Sequence, residues 1–93
     1  MRPEQCALLI FKAITTDALA GAAQVLADVQ RFGLQIRHFR LVSDPAGRAV
    51  IDFGVAACAG CDSGVLRARF ARHPALISVE LLEQAAFPAP SPA

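Results

Sequence analysis

The sequence predicts a single α+β domain with the element order β-α-β-β-α-β. One short run near the N-terminus is apolar throughout, two segments place apolar residues at helical spacing, and three segments alternate apolar with polar residues. The chain has 93 residues, and a single core typically organises about 100 to 150 residues, so we expect one domain.

Residues 6–12 form the first predicted strand. This run, Cys-Ala-Leu-Leu-Ile-Phe-Lys, is apolar up to its last residue and is short for a helix. Consecutive apolar positions are typical of a strand that is buried on both faces of a sheet. We therefore expect both faces of this strand to be covered.

A helix is expected over residues 17–32. Thr15 or Thr16 can act as its N-cap, and Asp17 is placed to interact with the positive end of the helix dipole. Gly33 follows, at the position where a left-handed residue commonly ends a helix. One helical face carries apolar residues at the required spacing, namely Ala22, Val25, Leu26, Val29 and Phe32.

Residues 34–42 and 48–55 predict an antiparallel hairpin. In the first segment the alternation slips between Ile36 and Phe39, which indicates a bulge. Residues 44–47 read Asp-Pro-Ala-Gly and carry the residues preferred at three positions of a type I turn. One face of the second segment is formed by Ala49, Ile51, Phe53 and Val55.

A second helix and a last strand complete the pattern. Asp62 or Ser63 can cap this helix, and we expect Pro74 to end it. One of its faces carries Leu66, Arg69, Phe70 and His73. Residues 76–82 form the strand, and the alternating positions on one of its faces are Ile77, Val79 and Leu81.

This order is a ferredoxin-like arrangement, and each βαβ half needs a right-handed crossover. The expected architecture is an α+β sandwich, in which a four-stranded antiparallel sheet has both helices on one face. Residues 1–84 form the domain, and residues 85–93, rich in Pro and Ala, are expected to be a disordered tail or a short extended arm. Because the chain is 55% hydrophobic and 18% charged, we expect a second copy or another protein to cover the bare face of the sheet.

Charge, hydropathy and motifs argue against several classes of function. The net charge of +1 is not the basic footprint of a nucleic-acid-binding protein, and no run reaches the about 18 to 20 apolar residues that span a bilayer. Three cysteines, without a sign of secretion, favour the reduced thiols of a cytoplasmic protein. We find no phosphate loop, nucleophile elbow or paired carboxylates, so we expect no enzyme. Asp28 and Asp52 are expected to be solvated surface charges.

The element order and two spaced residues resemble the ACT domain, a small regulatory module of amino-acid metabolism. ACT domains typically open helix one with Asp-x-Pro-Gly and reach a Gly at its end, and Asp17 and Gly33 occupy these positions at matching spacing. Residues 33–36, Gly-Leu-Gln-Ile, resemble the family's entry into strand two. Leu19 and Ala20 stand where the family has Pro-Gly. The resemblance covers nearly the whole chain apart from the tail.

This resemblance implies a non-catalytic regulatory domain. Stand-alone ACT chains without the Pro-Gly include short regulatory subunits of acetohydroxyacid synthase, which are similar in length and layout. By resemblance the chain would form a homodimer and bind a small amino acid, a catalytic enzyme subunit, or both. Free N–H groups at the start of helix one can receive a carboxylate, so the candidate ligand contacts are Thr15, Thr16, Asp17, Leu19 and Ala20. The alternative is that these residues only cap their own helix.

The sharpest chemical motif is Cys58-Ala-Gly-Cys61 at the start of the second predicted helix. A thiol there can have a lowered pKa, because the helix dipole favours the thiolate, so the two cysteines could be a redox pair or half of a zinc site. Cys6, His38 and His73 are the candidates to complete a zinc site, although no sequence pattern places Cys6 near the motif. Both cysteines could instead pack as small hydrophobic residues. A small metal-binding or thiol-redox protein is therefore the alternative function.

Basic residues cluster on the predicted hairpin, at Arg37, His38, Arg40 and Arg48. An RNA-binding module of this topology would carry several aromatic residues on its central strands, where they stack on bases. Residues 47–54 contain one aromatic residue, and the chain has no Tyr or Trp. We therefore expect a solvated hairpin, or a rim that pairs with acidic groups of a partner protein, and no binding of nucleic acid.

Overall fold

The computed structural model describes residues 6–58 and 62–87. The elements are β1 (Cys6–Thr15), α1 (Ala18–Arg31), β2 (Gln35–Ser43), β3 (Ala49–Cys58), α2 (Ser63–Phe70) and β4 (Leu76–Phe87). The four strands form one antiparallel sheet in the order β2-β3-β1-β4, and both helices pack on one face of it. The predicted ferredoxin-like α+β fold is confirmed.

Alternation along the two central strands creates the core. The residues that β1 and β3 turn toward the helices are buried: Leu9, Phe11, Ala13, Ala49, Ile51, Phe53 and Val55. Helix α2 adds Phe70, whose ring lies 5.4 Å from that of Phe11 and 5.2 Å from that of Phe53. Burial of one such aromatic side chain stabilises a fold by about 1.5–3 kcal/mol. This cluster fixes both helices on the same side of the sheet.

Helix α1 begins at Ala18 and its N-cap is Asp17, whose carboxylate accepts a hydrogen bond from the Ala20 N–H at 3.1 Å. Thr15 does not cap the helix, because it is the last residue of β1 and is buried. The helix ends as predicted, with Gly33 in the left-handed region at φ 71°. The structure therefore corrects the predicted cap by one or two residues and confirms the helix itself.

Helix α2 has the predicted N-cap, Asp62, which accepts hydrogen bonds from two backbone N–H groups of the first turn. The helix ends at Phe70, four residues before Pro74. A proline ring clashes with the carbonyl of the residue four positions earlier in a helix, so Pro74 stops α2 at that residue. Of the residues predicted to share one face of this helix, Leu66 and Phe70 are buried, whereas Arg69 is exposed.

The predicted hairpin of β2 and β3 is confirmed, together with its bulge and its turn. The pairing shifts register between Ile36 and His38, which is the predicted bulge. The Gly47 N–H donates to the Asp44 carbonyl at 3.0 Å, which closes the predicted turn. Strand β3 continues to Cys58, beyond the predicted end at residue 55.

Strand β4 differs most from its prediction. It extends to Phe87, past the expected domain boundary at residue 84, and residues 88–93 lie outside the described part of the chain. The pairing with β1 shifts register beside Ile77, since Thr15 pairs with Leu76 and Ile14 with Ser78. Ile77 is consequently 54% exposed, so its predicted place on the same face as Val79, which is buried, is wrong.

The sheet face opposite the helices is not covered by any element of the described chain. Strand β1 turns Leu8, Ile10 and Ile14 toward it, and all three are half-buried. The expectation that β1 is buried on both faces is therefore met only on the side of the helices. Neither of the two described helices has the length and apolar character needed to cross a membrane.

Candidate functional site

The predicted ligand contacts, residues 15–20, are divided between the interior and the surface. Thr15 is completely buried, and its hydroxyl donates a hydrogen bond to the Ala75 carbonyl and accepts one from the Asp17 N–H at 3.1 Å. Thr16, Leu19 and Ala20 are exposed, Leu19 to 81%. None of the predicted contact residues lines the cavity at the end of the β2–β3 hairpin or the cavity between the C-terminal ends of the two helices.

The backbone N–H groups at the start of α1 are largely occupied. The Asp17 carboxylate accepts from the N–H of Ala20, and the Asp17 carbonyl accepts from the N–H of Gly21 at 2.8 Å. The Ala18 N–H donates to the Gly47 carbonyl at 3.2 Å. A ligand carboxylate would have to displace one of these bonds to bind here. The arrangement favours the capping alternative over a ligand contact.

Gly21 is required by the packing of α1 on the end of β1. A Cβ atom at position 21 would lie 2.6 Å from Thr15 Oγ1 and 2.7 Å from Thr15 Cβ, closer than side-chain atoms approach one another. The glycine that follows the position of the family's Pro-Gly pair is thus explained by contact between the helix and the strand.

A different feature at the same end of the sheet offers a binding site. A cavity of about 290 Å³ lies at the end of the β2–β3 hairpin and is lined by Ile14, Val42, Ser43, Asp44, Arg48, Ala49 and Val50. Val42 pairs with Val50, and Val50 pairs with Ile14, so these three side chains form an apolar floor across three strands.

The turn holds two charged residues at the rim of this cavity. Asp44 Oδ1 accepts hydrogen bonds from the N–H groups of Ala46 and Arg48, each at 3.0 Å. The Asp44 N–H donates to the Arg48 carbonyl at 2.8 Å. These bonds fix the backbone at Asp44 and at Arg48, so that one acidic and one basic residue lie at the edge of the same small apolar cavity.

The cavity has the chemistry of a site for a small zwitterion. An arginine binds carboxylates through charge-assisted hydrogen bonds, and a carboxylate binds ammonium groups in the same way. Small-molecule sites commonly have volumes of about 300–1,000 Å³, and this cavity, just below that range, suits a very small ligand. The sequence did not indicate this site, since Asp44 is a typical residue of the turn and Arg48 is one of several basic residues of the hairpin.

A second cavity, of about 390 Å³, lies between the C-terminal ends of the helices and contains a buried carboxylate. Asp28 is 3% exposed, accepts a hydrogen bond from Gln24 Nε2 at 3.0 Å and lies 3.7 Å from Arg31 Nη1. The expectation that Asp28 is a solvated surface charge is therefore wrong. Its position between Val25 and Val29 on the buried stripe of α1 was the available signal. Other basic residues line the same cavity, namely Arg69, Arg72 and His73.

The cysteine motif falls mostly outside the described residues. The side chains of Cys6 and Cys58, and the whole of Cys61, are not among them, so the predicted metal ligands Cys58 and Cys61 have no described geometry. The backbone does pair Cys6 with Cys58 across β1 and β3. This register brings Cys6 to the motif, which no sequence pattern had indicated. Within the described part of the chain, no three or more His, Cys, Asp or Glu residues are grouped to hold a metal ion.

The fold has a counterpart among solved structures. The solution structure of the C-terminal domain of the MgtC protein from Mycobacterium tuberculosis matches with a TM-score of 0.61, over 95% of this chain and 93% of that one. The chain is similar in fold to this MgtC domain. The two sequences are 11% identical, so the similarity shows the fold alone. No protein-family model matches the chain, and no curated protein matches it in sequence.

Proposed function

We propose that this chain is a non-catalytic regulatory domain that binds a small amino acid in the cavity at the end of the β2–β3 hairpin. The observation that carries the proposal is the placement of Asp44 and Arg48 at the rim of an apolar floor. Arg48 would bind the ligand carboxylate, and Asp44 would bind its ammonium group. The floor of Val42, Val50 and Ile14 suits a branched aliphatic side chain.

The regulatory role is supported by the resemblance to ACT domains in element order and in the positions of Asp17 and Gly33. ACT domains report amino-acid levels to metabolic enzymes. We therefore propose a cytoplasmic protein whose partner is a catalytic enzyme subunit, as in the regulation of acetohydroxyacid synthase. In this proposal the ligand site lies at the end of the hairpin, with its floor on the sheet face opposite the helices, and not at the N-terminus of α1.

Thermal unfolding against a panel of amino acids tests the proposal. Valine, leucine and isoleucine are compared with isovalerate, which lacks the ammonium group, and with isoamylamine, which lacks the carboxylate. A ligand at 100 times its Kd stabilises a protein by about 2.7 kcal/mol, which raises the Tm of a domain this small by about 10–20 °C. We expect a shift with the zwitterions and little with either analogue. A flat panel would contradict the proposal.

A pair of matched variants then locates the site. Arg48→Gln should weaken binding by about 10- to 100-fold, because a hydrogen bond to a charged group contributes about 1.5–3 kcal/mol. Arg72→Gln, an exposed arginine at the other cavity, should leave the affinity unchanged. Calorimetric titration measures both. Equal affinities in the two variants would place the ligand elsewhere.

The pairing of Cys6 with Cys58 favours a second candidate function, a small metal-binding or thiol-redox protein that uses Cys58 and Cys61. Directly paired residues of antiparallel strands have Cα atoms about 4.5–5.5 Å apart, a separation that two thiol ligands of one zinc ion can accept. We expect the reduced protein to retain one equivalent of zinc after dialysis, and the Cys58→Ser/Cys61→Ser variant to retain none. Metal-free wild-type protein, measured by mass spectrometry, would remove the zinc version of this candidate.

A further inference from the structure

Four charged residues form one row across the helix-free face of the sheet. Arg40 pairs with Asp52, Asp52 pairs with Lys12, and Lys12 pairs with Glu80. The row crosses the strands in the order β2-β3-β1-β4, so its charges alternate as plus, minus, plus and minus. We call these four residues the charge row.

The alternation of the strands turns the charge row away from the helices. The sequence neighbours of Lys12 and of Asp52 are completely buried in the core, and successive strand residues point to opposite faces. Lys12 and Asp52 are half-buried, whereas Arg40 and Glu80, at the two edges of the sheet, are exposed. In the described part of the chain, Arg31 and Asp28 of α1 form an ion pair at 3.7 Å, whereas no two residues of the charge row form an ion pair within 4.0 Å.

The rows on either side of the charge row are apolar on the central strand β1, at Ile14 and Ile10, and polar on β4, where Ser78 pairs with Ile14 and Glu83 pairs with Ile10. One side is the cavity floor, where Val42, Val50 and Ile14 follow one another across three strands. On the other side Gly54 lies between His38 and Ile10, and a Cβ atom at Gly54 would lie 2.6 Å from the His38 ring. The imidazole therefore lies across the glycine. The result is a face whose apolar centre is crossed by the charge row, with His38 at one end of a neighbouring row and Glu83 at the other end.

This pattern is complementary to itself in one orientation. A two-fold axis parallel to the strands lays β2 of one copy over β4 of the other, so Arg40 faces Glu80 of the second copy and Asp52 faces its Lys12. Each neighbouring row then faces its own counterpart, so Val50 faces Ile14 of the second copy and His38 faces its Glu83. A two-fold axis that runs across the strands along the charge row would instead lay each charge on its own kind. Like charges across an interface oppose association, so the row selects the first orientation.

We propose that a second copy of this chain packs sheet on sheet against the helix-free face, with β2 of each copy over β4 of the other. Four strands of about nine paired residues cover about 19 by 31 Å, or about 600 Å² on each copy. The total of about 1,200 Å² is at the lower end of the range for specific protein interfaces. This inference does not depend on a ligand, and its test is run without one.

Two charge reversals at opposite edges of the sheet test the orientation. Arg40 and Glu80 are three strands apart, about 14 Å, so they do not touch within one copy. The homodimer has two symmetry-related contacts between position 40 of one copy and position 80 of the other. In the Arg40→Glu variant both contacts bring two glutamates together, and in the Glu80→Arg variant both bring two arginines together. In a mixture of the two variants every one of these contacts is between opposite charges. Repulsion therefore weakens each variant alone, and mixing removes it.

Analytical ultracentrifugation and native mass spectrometry give the readout. We expect the wild-type protein to be a dimer. Each variant alone should have a dimer Kd that is higher by about tenfold or more, and a mixture of the two variants should form heterodimers. Circular dichroism checks that both variants, which change exposed residues, remain folded. Arg72→Glu, an exposed reversal after α2, is the matched control and should dimerise like wild type.

Three results would overturn the proposal. The first is a wild-type protein that stays monomeric at about 100 μM, well above the affinity expected of an interface this size. The second is a dimer that neither reversal weakens, which would indicate pairing through a sheet edge. The third is a mixture that remains monomeric, because the orientation requires the heterodimer to form.

Discussion

Replacing Gly21 by alanine should destabilise the protein, although alanine is the better helix former. At an open helical position the change from Gly to Ala stabilises by about 0.5–1 kcal/mol. Here the new methyl group would lie 2.6 Å from Thr15 Oγ1. Thr15 is held in place, since it is buried and its hydroxyl is bonded to the Ala75 carbonyl and the Asp17 N–H. Overpacking costs about 1–3 kcal/mol, so we expect a net loss of about 1–2 kcal/mol.

Thermal unfolding followed by circular dichroism measures this loss as a decrease in Tm of about 5–15 °C. The matched control is Ala23→Gly, an exposed position of the same helix, which should lose about 0.5–1 kcal/mol from helix propensity alone. An unchanged or higher Tm for Gly21→Ala would refute the reasoning. It would show that α1 does not approach the end of β1 this closely.

Two further substitutions test local features of the fold. Asp17→Ala removes the N-cap of α1 and should cost about 0.5–2 kcal/mol in urea unfolding; Asp17→Asn should keep most of that stability, and equal losses in both variants would argue against the cap. Gly54→Ala places a methyl group 2.6 Å from the His38 ring and should lower Tm, whereas His38→Ala in the same chain should restore it, because the exposed imidazole is then absent. Failure of that rescue would show that the backbone, and not His38, restricts position 54.

The helix-facing half of the fold could be predicted from the sequence because each of its signals is local. The alternating residues of β3, from Ala49 to Val55, report burial within a single strand. The stop of α1 at Gly33 and the turn at residues 44–47 depend on residue types that favour one backbone conformation. None of these features requires knowledge of a second element.

The features that the sequence did not predict depend on contacts between elements. The exposure of Ile77 follows from a register shift against β1, and the strand itself carries no sign of that shift. Asp28 lies where α1 faces residues that follow α2, among them Arg72 and His73, whereas its carboxylate is satisfied by Gln24 and Arg31 of its own helix. A charged residue in an otherwise apolar stripe is ambiguous until its neighbours are known.

The helix-free face shows why function was harder to predict than fold. Lys12 and Asp52 are unremarkable within their own strands, and only the register aligns them in a row with Arg40 and Glu80. The same register builds the cavity floor one row away, so the two proposals share a surface. A ligand bound in that cavity would contact the region that the second copy covers. A ligand that binds the monomer and the dimer with different affinities must therefore change the free energy of dimerisation by the corresponding difference in binding free energy. Measuring the dimer Kd of the wild type and of Arg48→Gln, each with and without valine, therefore tests the link: a shift that Arg48→Gln abolishes supports both proposals, whereas a dimer Kd that bound valine leaves unchanged would separate the site from the interface.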